Sequence, residues 1–153
     1  MENEPFRMEL FYQGLVHGWG HLVDRRGGSE RPMTATLRGR WDGAVLTLDQ
    51  EWRAAGAPAE RRSWRIRPTA DGYRGTAADI VGTAEGRRTT AGGLRWTYLA
   101  DIRVAGQAWR VACEEELVPQ TANVATVAIR IAKFGLTIAE IDMVLSRAAP
   151  LSA

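Results

Sequence analysis

The spacing of the glycines constrains this chain more than any other feature. Many of its 16 glycines fall at Gly27-Gly28, Asp42-Gly43, Gly56, Asp71-Gly72, Gly92-Gly93, Gly106 and Gly135, the residue types that tight turns demand. Between these points, runs such as Leu46-Thr47-Leu48-Asp49-Gln50-Glu51-Trp52 and Ser63-Trp64-Arg65-Ile66-Arg67 follow a period of two, the signature of half-buried strands. Further runs lie at 14–24, 33–40, 73–84, 94–104, 108–118, 122–133 and 136–146. The pattern predicts an all-β chain of about eight to ten antiparallel strands. A meander of that size loses its edge strands most simply by closing into a barrel, with a sandwich as the competing arrangement.

Residues 1–10 read as an N-terminal extension, 11–147 as a single β-barrel domain and 148–153 as a C-terminal tail. One stretch fits two periods. Ile138, Ile141, Val144 and Leu145 within 137–145 also satisfy a helical repeat, although β-branched content and the preceding Lys133-Phe134-Gly135 turn favour a strand.

With 153 residues and 45% hydrophobic composition, the chain is long enough for one real core. The single cysteine, Cys113, excludes an internal disulfide framework, and one cysteine with two histidines cannot assemble a cysteine-based zinc site. Met1-Glu2-Asn3-Glu4-Pro5 carries no basic or apolar signal segment, so the expected location is cytoplasmic, without stable membrane insertion. Twenty basic against eighteen acidic residues leave little net field for a phosphate backbone, and no nucleic-acid partner is expected. Single-strand binding through alternating Arg and Trp is opposed by the interspersed acids. A homo-oligomer remains open.

Charges on otherwise apolar strand faces are the candidate chemistry, because a buried charge must find a partner or change its protonation state. Thr47, Asp49 and Glu51 share one strand face, as do Arg62, Trp64 and Ile66. If both faces point inward, the hairpin near Gly56 brings Glu51 and Arg62 together in a cavity; otherwise they form a solvated surface pair. Tyr73, Gly75, Ala77 and Asp79 alternate on one face, the small residues leaving room beneath a terminal carboxylate, and Trp96 and Tyr98 share a face on a later strand. Aromatic rings with polar tips beside an acid suit an apolar ligand pocket, or simply a core. Glu115 shares parity with Trp109, Val111 and Cys113, which makes it a candidate general acid or base of raised pKa.

His17 and His21 lack a third ligand at recognisable spacing, so no metal is expected. Cys113 has no neighbouring base and reads as a buried apolar residue. No phosphate loop, dinucleotide turn or nucleophile elbow is present in the sequence, and nothing calls for a cofactor.

The ordered series Asp24-Arg25 before Gly27, Trp41-Asp42-Gly43, Thr47-Leu48 with Glu51, Arg62 with Trp64, Gly72-Tyr73-Arg74-Gly75-Thr76-Ala77 to Asp79, Val81-Gly82, Leu94 with Trp96 and Tyr98, Val104 with Gly106, and Lys133-Phe134-Gly135 resembles the bacterial DUF3833 family over about residues 11–147. The resemblance implies a lipocalin-like, calycin-like antiparallel barrel, often carried as a lipoprotein and encoded beside lipid-modification genes. It brings no catalytic residues with it. Relatives tend to carry two aspartates, a tryptophan and a methionine where this chain has Glu114-Glu115-Glu116-Leu117, and Asn-Arg where it has Val127-Ala128.

Two functions from different classes follow. In one, the barrel binds a small lipophilic, lipid-like or polycyclic molecule, with Trp64, Trp96 and Tyr98 supplying contact area and Glu51 with Arg62 orienting a polar end. In the other, a cofactor-independent cyclase or isomerase folds a lipophilic intermediate into a reactive conformer while Asp79 or Glu115 moves a proton.

Overall fold

The computed structural model describes residues 5–104 and 106–147, so the expected tail at 148–153 lies outside the described residues. A four-residue helix, α1 (Met8–Phe11), leads into ten strands. These are β1 (Gly14–Asp24), β2 (Glu30–Trp41), β3 (Leu46–Ala54), β4 (Glu60–Pro68), β5 (Gly72–Thr76), β6 (Ile80–Arg88), β7 (Leu94–Val104), β8 (Gln107–Pro119), β9 (Val124–Lys133) and β10 (Leu136–Arg147). Every neighbouring pair is antiparallel, and β1 pairs with β10 to close a barrel. Closure leaves no exposed strand edge, which settles barrel against sandwich.

Most of the sequence runs appear as strands, with one difference. The run 73–84 is broken into β5 and β6 by a turn in which the Ile80 amide donates to the Ala77 carbonyl at 3.2 Å. Ala77-Ala78-Asp79 carries no glycine or proline, so the reversal left no local signal. The ambiguous 137–145 stretch is strand: Ile141, Met143 and Leu145 face inward opposite Ile129, Val127 and Ala125 of β9. Helical periodicity there is overridden by a partner that already supplies the β ladder.

Parity sorts the side chains. Alternate residues such as Leu46 and Leu48 on β3, Trp64 and Ile66 on β4, and Leu94 and Trp96 on β7 are buried inside the barrel, while their neighbours Thr47, Arg65 and Arg95 face out. One barrel end is plugged. Met8 and Glu9, from the stretch read as an extension, are buried there together with Phe11 and Tyr12 at the start of the domain. Arg147 donates to the Leu10 and Gln13 carbonyls, and the Gln13 side chain accepts from the Trp41 amide at 3.0 Å. Buried Glu9 is satisfied by the Tyr73 hydroxyl at 2.6 Å, and that hydroxyl accepts from the Met8 amide at 3.0 Å. Burial, followed by the Glu9 hydrogen bond, pushes Tyr73 up to about 12. The hairpins β1–β2, β3–β4, β5–β6, β7–β8 and β9–β10 all turn at the opposite, mouth end.

The plug seats against bare backbone at Gly39. A Cβ added there would lie 2.0 Å from the Tyr12 carbonyl oxygen, too close for any side chain. Gly39→Ala is expected to lower stability by about 1–3 kcal/mol through forced displacement of the plug, measured as a shift in urea midpoint. An unchanged midpoint would show that the plug is not held by this contact.

Candidate functional site

Along the barrel axis the interior changes character. Near the plug, Leu48, Ile66, Leu94 and Leu117 are almost fully buried. At mid-height, Trp64, Trp96 and Tyr98 are buried at 5%, 6% and 8% exposure and meet as an aromatic cluster, with ring centroids 5.8 Å apart for Trp64–Trp96 and 5.3 Å for Trp64–Tyr98. Toward the mouth, Leu22, Trp52, Ile102, Trp109, Ile131 and Ile138 pack against this core but are only partly buried. Parity points all but Ile138 inward, and Ile138 sits at the register shift between Thr137 and Ala139. The mouth half therefore carries a ring of apolar side chains that stay partly solvated, termed the bowl, with the aromatic cluster as its floor.

The space expected above Gly75 is occupied. A Cβ there would lie 3.2 Å from Trp64 and 3.3 Å from Trp96, and one at Gly86 would lie 3.2 Å from Trp96. The two indoles thus use the volume the glycines vacate. Beneath the floor remains a cavity of about 30 Å³ lined by Gln50, Trp64, Trp96, Glu115 and Tyr12 among others. That volume suits about one water and no lipid.

Charged and polar groups converge where bowl meets floor. Arg62 on β4 donates from Nε to both Asp79 oxygens at 3.0 Å and from Nη2 to Oδ2 at 2.7 Å. Its Nη1 donates to the Tyr98 hydroxyl at 3.4 Å, and its guanidinium lies 5.6 Å from the Trp64 and Tyr98 ring centroids. The Tyr98 hydroxyl donates in turn to the Glu115 carboxyl. Gln50 accepts from the Trp52 indole at 3.1 Å and the Trp64 indole at 3.2 Å, tying a bowl aromatic to a floor aromatic.

One cation serves two acids here. Burial pushes Glu115 above the ordinary glutamate range, opposed by the Tyr98 hydrogen bond and the Arg62 charge. Desolvation and the Glu115 charge hold Tyr98 well above its ordinary value. Burial alone would lower Arg62, but the Asp79 hydrogen bonds and the surrounding acidic groups outweigh it and keep the guanidinium charged. Burial, then Glu115, moves Cys113 up to about 11, so the thiol stays protonated and inert. Arg62 has five N–H donors, and the hydrogen bonds above leave one on each Nη for a bound group.

The expected Glu51–Arg62 pair does not form. Inward Leu46 and Leu48 put Glu51 on the outer face of β3, where the register sets it opposite Arg61. Glu51 pairs there with Arg61 at 3.1 Å and Arg53 at 3.4 Å. Arg62 has the other parity and lies opposite Gln50. Its carboxylate is Asp79, delivered by the β5–β6 turn and anchored where the Asp101 amide donates to the Asp79 carbonyl at 2.8 Å.

Arg62, Asp79 and Tyr98 thus come together on the mouth side of Trp64, with Glu115 joined through Tyr98 and lying opposite Trp96 at the level of the floor. Glu114 and Glu116 face outward toward Arg95, while Cys113 is buried inside. His17 and His21 flank the exposed Trp19 on the outer face of β1. No group of three or more metal-ligating side chains exists among the described residues. Gln50, Trp52 and Trp109 were missed in the sequence reading. Each shares parity with inward neighbours, Leu48 for the first two and Val111 for the third, so their face was readable and their hydrogen bonds were not.

The class is thereby defined as an antiparallel, lipocalin-like closed barrel of ten strands with one end plugged by the N-terminal segment. Residues 1–147 match the family described as protein of unknown function DUF3833, and the chain belongs to that family. No curated protein matches it. Among solved structures, the S-type phycobiliprotein lyase of Guillardia theta has a similar fold, with a TM-score of 0.67 at 8% identity over 90% of this chain and 89% of that one. Such identity speaks to fold alone. No helix among the described residues is long and apolar enough to cross a membrane.

Two outcomes test the constellation. The Arg62 and Asp79 side chains are 19% and 36% exposed, between the regimes in which breaking a pair costs about 0–1 and about 3–5 kcal/mol. Arg62→Met should cost about 2 kcal/mol, and a double-mutant cycle with Asp79→Asn should show coupling, whereas Glu51→Gln should change the denaturant midpoint by less than about 0.5 kcal/mol. Additive losses in the cycle would dissolve the pair. Glu115 governs the pH dependence. Its folded value lies above the ordinary 4.5, so the folded state keeps a proton that the unfolded chain has released, and stability falls as pH rises through that window. Urea midpoints across the window should decline in the wild type and flatten in Glu115→Gln; parallel profiles would mean that Glu115 ionises normally.

Proposed function

We propose that the mouth half of the barrel binds a small lipophilic molecule with one polar or anionic end. The observation that carries this reading is the bowl of partly buried apolar side chains, including Trp52, Ile102, Trp109 and Ile131, standing over a charged cluster with unused Arg62 donors. A concave apolar surface with a few convergent polar groups is what a small-molecule site requires. Trp64, Trp96 and Tyr98 act as floor, while Trp52 and Trp109 supply the side walls. Arg62, held in place by Asp79, receives the polar end, and Glu51 has no part in it. A similar barrel named as a phycobiliprotein lyase agrees with a scaffold used on small molecules.

A cofactor-independent cyclase or isomerase acting on such a molecule is the second reading, favoured by one observation. Glu115 is a desolvated acid of raised pKa, hydrogen-bonded to Tyr98 and opposite the floor residue Trp96, and a carboxyl of raised pKa suits a general acid. Asp79 is committed to Arg62 through three contacts, so in this reading it positions the guanidinium and Glu115 alone moves the proton.

Small molecules extracted from the native protein and identified by mass should be amphipathic, and anilinonaphthalene sulfonate should bind saturably at one site. Losing a hydrogen bond to a charged group weakens binding about tenfold, so Arg62→Met should do this to the probe. Trp109→Ala should weaken it comparably through lost apolar contact, and Glu51→Gln should leave it unchanged. Equal affinity in all four proteins would reject the bowl as the site. Turnover of an extracted precursor by the wild type and not by Glu115→Gln would select the enzymatic reading.

A further inference from the structure

The β9–β10 hairpin carries a residue the isolated chain does not explain. Lys133 and Leu136 pair directly, leaving a two-residue loop of Phe134 and Gly135 with φ of 53° and 77°. Positive φ at both central positions is the pattern of a type I′ turn, for which Asn-Gly is the favoured pair. A bulky aromatic residue in that region is strained. Among the described residues Phe134 is the only non-glycine with positive φ, and it is 91% exposed. Its neighbour Leu136 is 70% exposed. The turn therefore accepts conformational strain to hold an apolar ring in water.

The rest of the mouth rim matches it. The β3–β4 tip reads Ala55-Gly56-Ala57-Pro58-Ala59, with no charged side chain. The β1–β2 loop contributes Arg25 and Arg26, and the hairpin beside it contributes Lys133, whose ammonium lies 4.8 Å from the Phe134 ring centroid and 5.4 Å from that of Trp109. Arg26 stacks on the other partner of that ring pair, 5.6 Å from Trp109. Arg25 and Arg26 have carboxylate partners in Glu140 and Asp24, whereas Lys133 and Arg103 have none within ion-pair distance among the described residues. Among the described residues, the turns at the plugged end carry no exposed aromatic tip, with Asp42, Asp71, Gln120 and Asn123 among their residues.

We propose that the mouth rim is a peripheral docking surface for an anionic lipid bilayer, with Phe134 and Leu136 entering the headgroup region and Lys133 and Arg103, which lack a carboxylate partner among the described residues, facing anionic headgroups. An exposed aromatic tip beside cations is the arrangement by which a surface-bound protein combines apolar insertion with charge attraction. The docking goes beyond the ligand reading and does not depend on it, since it rests on the rim and not on the bowl. It also places the open end of the barrel toward the bilayer and the plug toward water.

Vesicle sedimentation tests this with the intact chain, using phosphatidylcholine alone and phosphatidylcholine containing phosphatidylglycerol. The protein should sediment with the anionic vesicles, and less so as salt rises. Phe134→Asn restores the favoured turn residue, so it should melt no lower than the wild type while its partitioning falls at least about fivefold, as loss of a buried aromatic contact predicts. Leu136→Gln should fall in the same direction. Binding that ignores lipid charge, binding unchanged in a folded Phe134→Asn, or no binding to either vesicle would overturn the proposal. So would a dimer in vesicle-free solution that Phe134→Asn dissolves, because the rim would then be a contact between copies.

Discussion

Closing ten strands into one barrel gives every alternate side chain a single place to go, and Arg62 is the position where that rule is most costly. Trp64 and Ile66 are buried two and four residues further along the same strand face, so the Arg62 guanidinium must sit inside as well. An interior cation requires a counter-charge. The β5–β6 turn supplies one by carrying Asp79 into reach, and the backbone of that turn is pinned to β7 through Asp101. Because Asp79 takes up most of the Arg62 charge, Glu115 is left without a full cation of its own. Desolvation then outweighs its hydrogen bond to Tyr98 and raises its pKa.

The same arrangement divides the interior. Below the Arg62 level the barrel is a packed core, with the indoles of Trp64 and Trp96 laid over glycine backbone above a cavity of about 30 Å³. Above it the inward side chains are apolar yet partly solvated. Tight packing on one side of a charged layer and an open apolar wall on the other is how a closed barrel can be stable and still present a site. Binding capacity belongs to the half that packing leaves unfinished.

How much of this could be read from the chain differs by element. The barrel class followed from turn spacing and alternation, because both are local properties of the backbone. Parity put Arg62 on one face with Trp64, Trp96 with Tyr98, and Glu115 with Val111 and Cys113, but left open which faces pointed inward. The Glu51–Arg62 pairing failed because it matched charges across a hairpin without requiring both to share the face of Leu48 and Trp64. The Arg62–Asp79 contact joins residues 17 apart across a short strand, and only the three-dimensional turn at 77–79 makes it. The size of the cavity was likewise unreadable, since it depends on how two indoles settle over Gly75 and Gly86. Phe134 was visible only as part of a turn; its strain and exposure are properties of φ and of the surrounding rim.

The six tryptophans are distributed so that one spectrum can locate a bound molecule. Trp52 and Trp109 line the bowl, Trp64 and Trp96 form its floor, and Trp41 lies at the plugged end, while Trp19 is 52% exposed on the outer wall. Indole N–H resonances assigned in nitrogen-15-labelled protein and followed during titration with anilinonaphthalene sulfonate should move for Trp52, Trp109 and Trp64, whose indoles border or hydrogen-bond into the site, and stay fixed for Trp19 and Trp41. Movement of Trp19 with the bowl tryptophans unshifted would put the apolar site on the outside of the barrel and contradict the account.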